Sequence, residues 1–281
     1  MKSSGYVIRR SIVHGVLYVI VAFTLVTMVF PLLWMISTSF KTYDTALSFP
    51  PKLIPPFLNW QSYGHVLATS NLPRYFANTA IYAIVGSGLE VFLAIMGGYV
   101  FAKYRFPGSG VLFSVILATI MIPGQVTLIP VFLILKDFHW LNTFWALIVP
   151  GIASPFGIFL IRQFGRGIPD DLIEAARIDG YPEVRILFQI FVPLCLPAIT
   201  TLAVLAFMGR WNDLFWPLIV TSSDTMGTLQ LALTRISRTL YDTIWNELMA
   251  GMTMACIPII AVYIAFQRYF TQGIVLTGIK G

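Results

Sequence analysis

Long apolar stretches alternate with shorter polar intervals along the whole chain. Within each stretch the apolar residues occupy all sides of a helix rather than alternate positions, which favours membrane-spanning helices over the strands of a β-barrel. A helix needs about 20 mostly apolar residues to cross a bilayer. The pattern therefore predicts an all-α integral membrane protein, with one domain over residues 1–281 and six transmembrane helices at roughly 12–36, 78–102, 111–135, 143–163, 194–220 and 248–270.

One polar interval, residues 166–193, carries helix start and stop signals of its own. Pro169 suits the first turn of a helix, where its missing N–H costs nothing. The two aspartates that follow place negative charge at the positive end of that helix. Gly180 provides a C-terminal stop, and the chain restarts after Pro182. The interval therefore predicts two short helices joined by a sharp bend.

The composition is typical of a protein that resides in a bilayer. Of the 281 residues 57% are hydrophobic and 11% are charged, and the mean hydropathy is +0.81, whereas soluble domains carry about 25% charged residues. The net charge of +6 comes without a long basic run or interleaved aromatic and basic residues. Membrane lipid is therefore an expected partner and nucleic acid is not. The first apolar run is too long for a signal peptide, so it is expected to remain as a span.

The distribution of Lys and Arg predicts the orientation in the membrane. Six spans put both termini on one side, and the positive-inside rule assigns the more basic side to the cytoplasm. With both termini inside, the inner residues are Lys2, Arg9, Arg10, Lys103, Arg105, Arg162, Arg166, Arg177, Arg185, Arg268 and Lys280. The smaller outer set is Lys41, Lys52, Arg74, Lys136, Arg235 and Arg238, while Arg210 lies within a span. Both termini and the interval 166–193 are therefore predicted to be cytoplasmic.

Catalytic and metal-binding motifs are missing from the sequence. It has no G-x-x-x-x-G-K-[ST] phosphate loop, no H-E-x-x-H and no G-x-S-x-G motif. The chain is therefore expected to be non-catalytic and to bind no ATP or Mg²⁺ itself. Cys195 and Cys256 lie far apart in apolar stretches, and the histidines lack metal-ligand spacing. Uphill transport would draw its energy from a partner protein or an ion gradient.

Polar residues inside predicted spans are candidates for a translocation path, because they are costly in a bilayer. Glu90 lies near the middle of the second predicted span, Asn78 lies at its start, and Gln125 lies in the third. Glu90 has two further interpretations. It is either a structural carboxylate bonded within the bundle or the coupling group of a proton-driven transporter.

The fifth predicted span contains the run Arg210-Trp211-Asn212-Asp213. Arg210 and Asp213 are three residues apart on one helix face and can form an ion pair with each other. Trp211 and Asn212 point elsewhere. An indole ring that stacks on C–H faces, beside an amide that donates and accepts hydrogen bonds, suits a neutral polyol. Trp211, Asn212 and Asp213 therefore join the candidate translocation path, although ordinary packing is the alternative for the indole.

The segment Glu174-Ala175-Ala176-Arg177-Ile178-Asp179-Gly180, with Ile190, Val192 and Pro193 after it, resembles the EAA loop of permease subunits in ABC importers. The family pattern is E-A-A-x3-G-x9-I-x-L-P, and only Val192 departs from it by replacing Leu. In that family the loop docks into a groove on the ATP-hydrolysing subunit, and small alanines permit close approach. The resemblance implies that the residues coupled to the ATPase are Glu174, Ala175, Ala176, Asp179, Gly180, Ile190 and Pro193.

Other segments resemble the carbohydrate branch of these permeases, most closely the second permease subunit of the maltose-type importers. They are Trp211-Asn212-Asp213-x3-Pro217-Leu218, Asn78, residues 102–108 and the C-terminal residues 267–281. The resemblance implies a heterodimer with another permease, two ATPase subunits that bind ATP and Mg²⁺, and an external solute-binding protein. The C-terminal tail is expected to contact the ATPase pair through Gly278, Lys280 and Gly281.

The implied function is that of a permease subunit in an ATP-driven, binding-protein-dependent importer for a sugar or related polyol. It would work by alternating access in the cytoplasmic (inner) membrane of a bacterium or archaeon. Glycerol phosphate or a related phosphodiester is the alternative substrate class. A proton-coupled secondary transporter that uses Glu90 is the alternative from another class, but it leaves the motif at 174–193 unexplained and no internal repeat supports it.

Overall fold

A computed structural model of the protein describes the backbone of residues 3–69, 71–236 and 243–278, and side chains within 13–69, 71–236 and 243–267. The described backbone is helical and contains no strand, which confirms the all-α class. In chain order the helices are α1 (Ser3–Ser39), α2 (Tyr43–Ala46), α3 (Gln61–Thr69), α4 (Leu72–Lys103), α5 (Ser109–Ile120), α6 (Gly124–Asp137), α7 (Phe144–Gly151), α8 (Pro155–Gly165), α9 (Asp170–Ile178), α10 (Glu183–Leu194), α11 (Leu196–Trp211), α12 (Phe215–Val220), α13 (Leu229–Ile236) and α14 (Trp245–Gly278).

The described helices provide up to six membrane spans, as predicted. Three are long and apolar enough to cross a membrane alone, namely Val13–Ser39 within α1, the whole of α4, and Trp245–Gln267 within α14. Three further spans are bent pairs of helices. The bend is 98° between α5 and α6, 43° between α7 and α8, and 82° between α10 and α11.

The structure breaks three of the predicted spans, which hydropathy represents as continuous. Residues 143–163 are divided between Gly151 and Pro155. Residues 111–135 are divided at Pro123, which is the N-cap of α6 and follows the last turn of α5. Residues 194–220 are divided at Asn212, which caps α11, and the chain then forms the short helix α12. Long apolar stretches flank each of these breaks, so a hydropathy window averages across them and does not detect them.

The chain divides into two compact units. The first comprises Met1–Asn71 and Leu233–Cys256, and the second comprises Leu72–Ala232 and Ile257–Gly281. In the first unit, every side chain of α1 from Val13 to Leu33 is exposed. This apolar stretch of α1 buries no face within its own chain, so it is suited to contact with lipid or another membrane subunit.

The second unit is built around α4, which packs against α8 and α11. Glycines allow close approach: a Cβ on Gly98 would lie 2.6 Å from the Cβ of Ile161. Small residues at helix crossings are typical of membrane proteins. The core of this unit runs without interruption from α4, α8 and α11 to α9 and α10, and it includes Ala94, Ile161, Ile173, Ile186, Phe191 and Leu202. The polar interval 166–193 is therefore anchored directly to the spans.

Candidate coupling segment and intramembrane polar network

The EAA segment, defined as residues 166–193, contains the predicted bend but a longer second helix. Pro169 is the N-cap of α9, and α10 begins after Pro182, as the sequence signals predict. The correction concerns α10, which continues through a π-helical stretch at Leu187–Phe191 and ends at Leu194. It therefore runs to the start of α11 rather than forming a short separate helix.

Gly180 forms the bend by ending α9 in a left-handed conformation. Its φ is +80°. The Gly180 N–H donates to the carbonyl of Arg177 and the Tyr181 N–H donates to the carbonyl of Ala176, both at 3.0 Å. These two bonds are those of a Schellman motif, in which glycine is favoured because it has no Cβ. The predicted helix stop at Gly180 is confirmed.

The two alanines of the motif face opposite environments. Ala176 is only 6% exposed and packs with Ile173 in the core of the second unit, because residues three apart lie on the same helix face. Glu174 and Ala175 are exposed, and Ile178 beside them is 86% exposed. The sequence predicted a contact face formed by both alanines, and the structure leaves only Ala175 on the exposed side.

The remaining motif residues lie at the ends of these helices. Asp179 is the exposed C-cap residue of α9. Ile190 is half-buried against the core, and Pro193 is exposed in the last turn of α10. Their coupling roles stay predictions. The C-terminal contact does too, because the described backbone ends at Gly278, and Lys280 and Gly281 lie outside the described residues.

The start of α9 is fastened to the end of α4 by Lys103. Its Nζ lies 2.7 Å from Oδ1 of Asp170 and also donates to the carbonyl of Ile168. Hydrogen bonding and charge attraction from Lys103 lower the pKa of Asp170. The lysine side chain is almost completely buried while the carboxylate is exposed, so the ammonium is held in place at the junction of α4 and the EAA segment.

A second attachment joins α9, α10 and α4 through Glu183. Its Oε1 lies 2.7 Å from Nε of Arg177, and its Oε2 accepts a 2.7 Å hydrogen bond from the hydroxyl of Tyr99. The hydrogen bond from Arg177 is the main cause that lowers the pKa of Glu183 to about 2. Sequence reasoning missed Glu183, because its partner in α4 is 84 residues away.

The attachment through Glu183 predicts that the stability of the EAA segment depends on pH. The pKa of Glu183 is about 2 in the folded chain, whereas its ordinary value is 4.5. Because the folded pKa is depressed, the stabilisation is complete above the ordinary value and is lost as the pH falls towards about 2. Pepsin cleavage within 166–193, normalised to a reference peptide, should therefore rise across that window. Both charged side chains of the Arg177–Glu183 pair are partly exposed, so the effect should be modest.

Two carboxylate variants test this pH dependence. Glu183→Gln should show raised cleavage already at pH about 5 and a flatter profile below it. Glu174→Gln is the matched control, because Glu174 is exposed on the same segment and its carboxylate forms no ion pair with the described residues. Parallel profiles for wild type and Glu183→Gln would contradict a role for this attachment.

Within the spans, Arg210 of α11 pairs with Glu90 of α4. Its Nη1 donates to Oε2 of Glu90 and its Nη2 donates to the carbonyl of Gly151 at 2.6 Å. Arg210 is 8% and Glu90 is 9% exposed. Gly86 leaves room for the guanidinium, since a Cβ there would lie 2.5 Å from its Nε. The pair joins α4, α7 and α11, and it fits the interpretation of Glu90 as a structural carboxylate.

The ion pair that the sequence suggested between Arg210 and Asp213 is wrong. The helix ends at Trp211, so Asp213 does not lie one turn above Arg210 on the same face. Instead Asp213 accepts a 2.9 Å hydrogen bond from the hydroxyl of Tyr82 and a 3.2 Å bond from the backbone N–H of Trp216. It therefore fixes the turn between α11 and α12 against α4.

Two other polar candidates have structural contacts. The amide of Asn78 is buried and donates to the carbonyls of Thr225 and Gly227 at 3.0 and 2.9 Å, so it holds the chain between α12 and α13 against α4. Asn212 is exposed, and its amide donates to the carbonyl of Met208 at 2.9 Å. Their translocation roles stay predictions.

Trp211 and Gln125 differ sharply in their surroundings. Trp211 is 2% exposed, and its ring packs against Phe76 and Phe207 at centroid distances of 6.0 and 5.5 Å, which fits the packing alternative. Gln125 is exposed and lines a cavity of about 340 Å³ that Tyr82 also lines. The structure therefore brings Asp213 close to this cavity through Tyr82, and it does not bring Trp211 there.

Comparison with known proteins identifies the family. Residues 91–275 match the family described as binding-protein-dependent transport system inner membrane component. The chain belongs to this family. The match covers the EAA segment and most of the described spans. It includes Arg210 of the Glu90–Arg210 pair and begins one position after Glu90. The chain is therefore a multi-pass inner membrane permease.

Individual relatives extend over nearly the same length. The permease is 35% identical to the arabinooligosaccharides transport system permease protein AraQ of Halalkalibacterium halodurans, over 92% of this chain and 94% of the relative. It is 32% identical to the sn-glycerol-3-phosphate permease UgpE of Yersinia enterocolitica, over 80% and 83%. A solved chain of a bacterial ABC transporter for alginate import matches with a TM-score of 0.84 at 25% identity, over 92% and 97%. The resemblance to the carbohydrate branch is confirmed.

Proposed function

We propose that this permease imports a saccharide or related polyol by alternating access, together with a second permease subunit, two ATPase subunits and an external solute-binding protein. The observation that carries the proposal is the EAA segment. Helix α9 exposes Glu174, Ala175 and Ile178 on one face, while its other face is packed into the core of the spans. One helix thus combines an exposed face with a firm attachment to the transport core.

Movement of α9 has a direct route to the spans. ATP binding in the partner subunits would close them and displace the docked α9. Lys103 ties the start of α9 to α4, and Glu183 ties its end to α10 and α4. Glu174 would anchor the docked helix through polar contacts, Ala175 would permit close approach, and Gly180 would maintain the angle between α9 and α10. The ATP and Mg²⁺ would reside in the ATPase subunits.

The substrate class follows from the relatives and is part of the proposal. AraQ is named for arabinooligosaccharides and the solved transporter for an acidic polysaccharide. UgpE is named for sn-glycerol-3-phosphate, which keeps that anion as the second candidate. The Lys and Arg distribution supports cytoplasmic termini and a cytoplasmic EAA segment. A proton-coupled transporter would need Glu90 as its proton-carrying carboxylate, but Glu90 is ion-paired with Arg210. This pairing favours the ATP-driven mechanism.

The two adjacent alanines provide a sharp test of docking. Ala175→Leu should leave membrane accumulation and thermal stability unchanged but reduce co-purification with the ATPase subunit by about tenfold, because the added bulk lies on the exposed face. Ala176→Leu should overpack the core and lower stability by about 1–3 kcal/mol. Quantified pull-down and a thermal unfolding assay separate the two effects.

Ala175→Leu and Ala176→Leu are the same substitution at neighbouring positions, so each variant is the control for the other. In a separate control, the purified permease alone should show no ATPase activity above background. Normal ATPase association by Ala175→Leu, at wild-type abundance, would show that the exposed face of α9 is not the docking surface.

A further inference from the structure

The first compact unit contains a polar cavity of about 760 Å³ that takes no part in the EAA segment or the Arg210 network. It lies among the chain that follows α1, helix α3 and the start of α14. We call it the α3–α14 cavity. The lining residues that matter here are Asn59, Gln61, His65, Ile244, Asn246 and Glu247.

The lining has the chemistry that binds hydroxyl groups. Amides both donate and accept hydrogen bonds, a carboxylate accepts them, and an imidazole does either according to its tautomer. Gln61 is exposed. His65 Nδ1 lies 2.8 Å from Oε1 of Glu247, whose side chain is mostly buried while that of His65 is largely exposed. Several convergent polar groups in one concave site are typical of a binding site for a small polar molecule.

Asn246 provides an independent observation. Its amide nitrogen donates to the hydroxyl of Ser62 at 2.8 Å. Its carbonyl oxygen is buried and accepts no hydrogen bond from the part of the chain that the structure describes. A buried acceptor without a donor is unfavourable. Asn246 lines the cavity, so a rotation of its side chain towards a ligand hydroxyl would supply the missing donor.

The charges around the cavity distinguish between substrate classes. Among the described residues that line it there is no Lys or Arg. Lys41 lies close by in sequence but is buried, with its Nζ 3.3 Å from Oγ1 of Thr38 and 4.2 Å from the ring centre of Trp34. The carboxylate of Glu247 would repel an anion. Phosphate and uronate groups are recognised by Arg and Lys, so this lining suits an uncharged molecule.

We infer that the α3–α14 cavity binds an uncharged, polyhydroxylated solute, of the size of a small saccharide. The inference rests on the proposed function and narrows it: the solute is a neutral glycan rather than a glycerol phosphate or an acidic sugar. Gln61 and Asn246 hydrogen-bond the hydroxyls, and Glu247 accepts from them while excluding anions. With the orientation proposed above, the cavity faces the side from which the binding protein delivers solute.

The test uses alkylation of a cysteine in the cavity wall. Ile244→Cys is introduced into the full chain together with Cys256→Ala, since Cys195 is buried, and the protein is placed in lipid nanodiscs that expose both membrane faces. The rate of maleimide labelling is measured with lactose, arabinobiose and arabinotriose as neutral probes. The anionic probes are sn-glycerol 3-phosphate and digalacturonate. Neutral saccharide should slow labelling about fivefold at about four times its Kd, while the anions leave the rate unchanged.

Two cavity variants and a control sharpen the result. Gln61→Ala should raise the saccharide concentration required for protection about fivefold to tenfold. Glu247→Gln keeps the size and hydrogen-bonding capacity but removes the charge, so it should retain saccharide protection and admit sn-glycerol 3-phosphate. Gln163→Ala removes an exposed amide from α8 in the second unit and should behave like the parent chain.

Three outcomes would overturn the inference. They are equal or better protection by the anions, no protection by any saccharide up to about 100 mM, and protection that neither Gln61→Ala nor Glu247→Gln alters. Labelling in nanodiscs needs no ATPase subunit, and it does not depend on which way the permease is oriented in the membrane. If it fails while the Ala175→Leu experiment succeeds, the importer assignment stands and only the cavity inference falls.

Discussion

Replacing Arg210 with methionine is expected to destabilise the permease by about 3–5 kcal/mol, because it leaves the buried carboxylate of Glu90 without its cation. The double variant Arg210→Met/Glu90→Met removes both charges and should recover most of that loss, since well-packed apolar residues often replace a buried ion pair at little cost. Thermal unfolding of the purified protein and its abundance in membranes measure both effects.

A double-mutant cycle identifies the partner of Arg210. Coupling with Glu90 should be several kcal/mol, whereas coupling with Asp213 should be near zero, because Asp213 instead accepts from Tyr82 and Trp216. Glu90→Gln alone should also be destabilising, since it leaves the guanidinium buried. Strong coupling between Arg210 and Asp213, with none to Glu90, would contradict the pairing of Arg210 with Glu90.

Gly180→Val is expected to abolish most solute uptake while the permease still reaches the membrane. Valine is poorly tolerated at a φ of +80°, so the bend should distort at a cost on the order of 1 kcal/mol or more. Because the bend lies outside the spans, insertion should survive. Glu174→Ala adds no strain and should have the milder effect. Uptake in membrane vesicles, measured beside quantified assembly with the ATPase, separates failed docking from failed transmission.

The chain offers a matched control for this backbone strain. Gly108 has a φ of +81°, and like Gly180 it has open space where a Cβ would be placed. Gly108→Val therefore introduces the same local strain outside the EAA segment and should retain far more uptake than Gly180→Val. Wild-type uptake by Gly180→Val, at equal expression, would show that the segment is only a helical hairpin and would remove the main support for the proposed function.

The sequence predicts the parts of this fold that depend on neighbouring residues. Pro169, Gly180 and Pro182 act through local backbone geometry, so the start and end of α9 and the restart at α10 could be placed correctly. The long apolar helices follow directly from composition, because a bilayer requires about 20 apolar residues in succession. The family motif adds fixed spacings that a general amphipathic pattern does not supply.

The remaining features depend on contacts between distant residues. Glu90 and Arg210 are 120 residues apart, and a single sequence contains no signal that joins them. The i, i+3 rule suggested Asp213 only because hydropathy concealed the end of α11. The different environments of Ala175 and Ala176 depend on which side of α9 meets the core. That side could have been anticipated from Ile173 and Ala176, since the two share a face three residues apart.

The bent pair formed by α10 and α11 has a mechanical consequence. The twelve residues of α10 extend about 18 Å at 1.5 Å per residue, and they leave α11 at an angle of 82°. Helix α10 therefore projects almost at right angles from the axis of α11. A rotation of α11 by about 10° around its own axis moves the far end of α10, next to Gly180 and α9, by about 3 Å. Conversely, a small lateral displacement at that end becomes a rotation of a helix in the membrane.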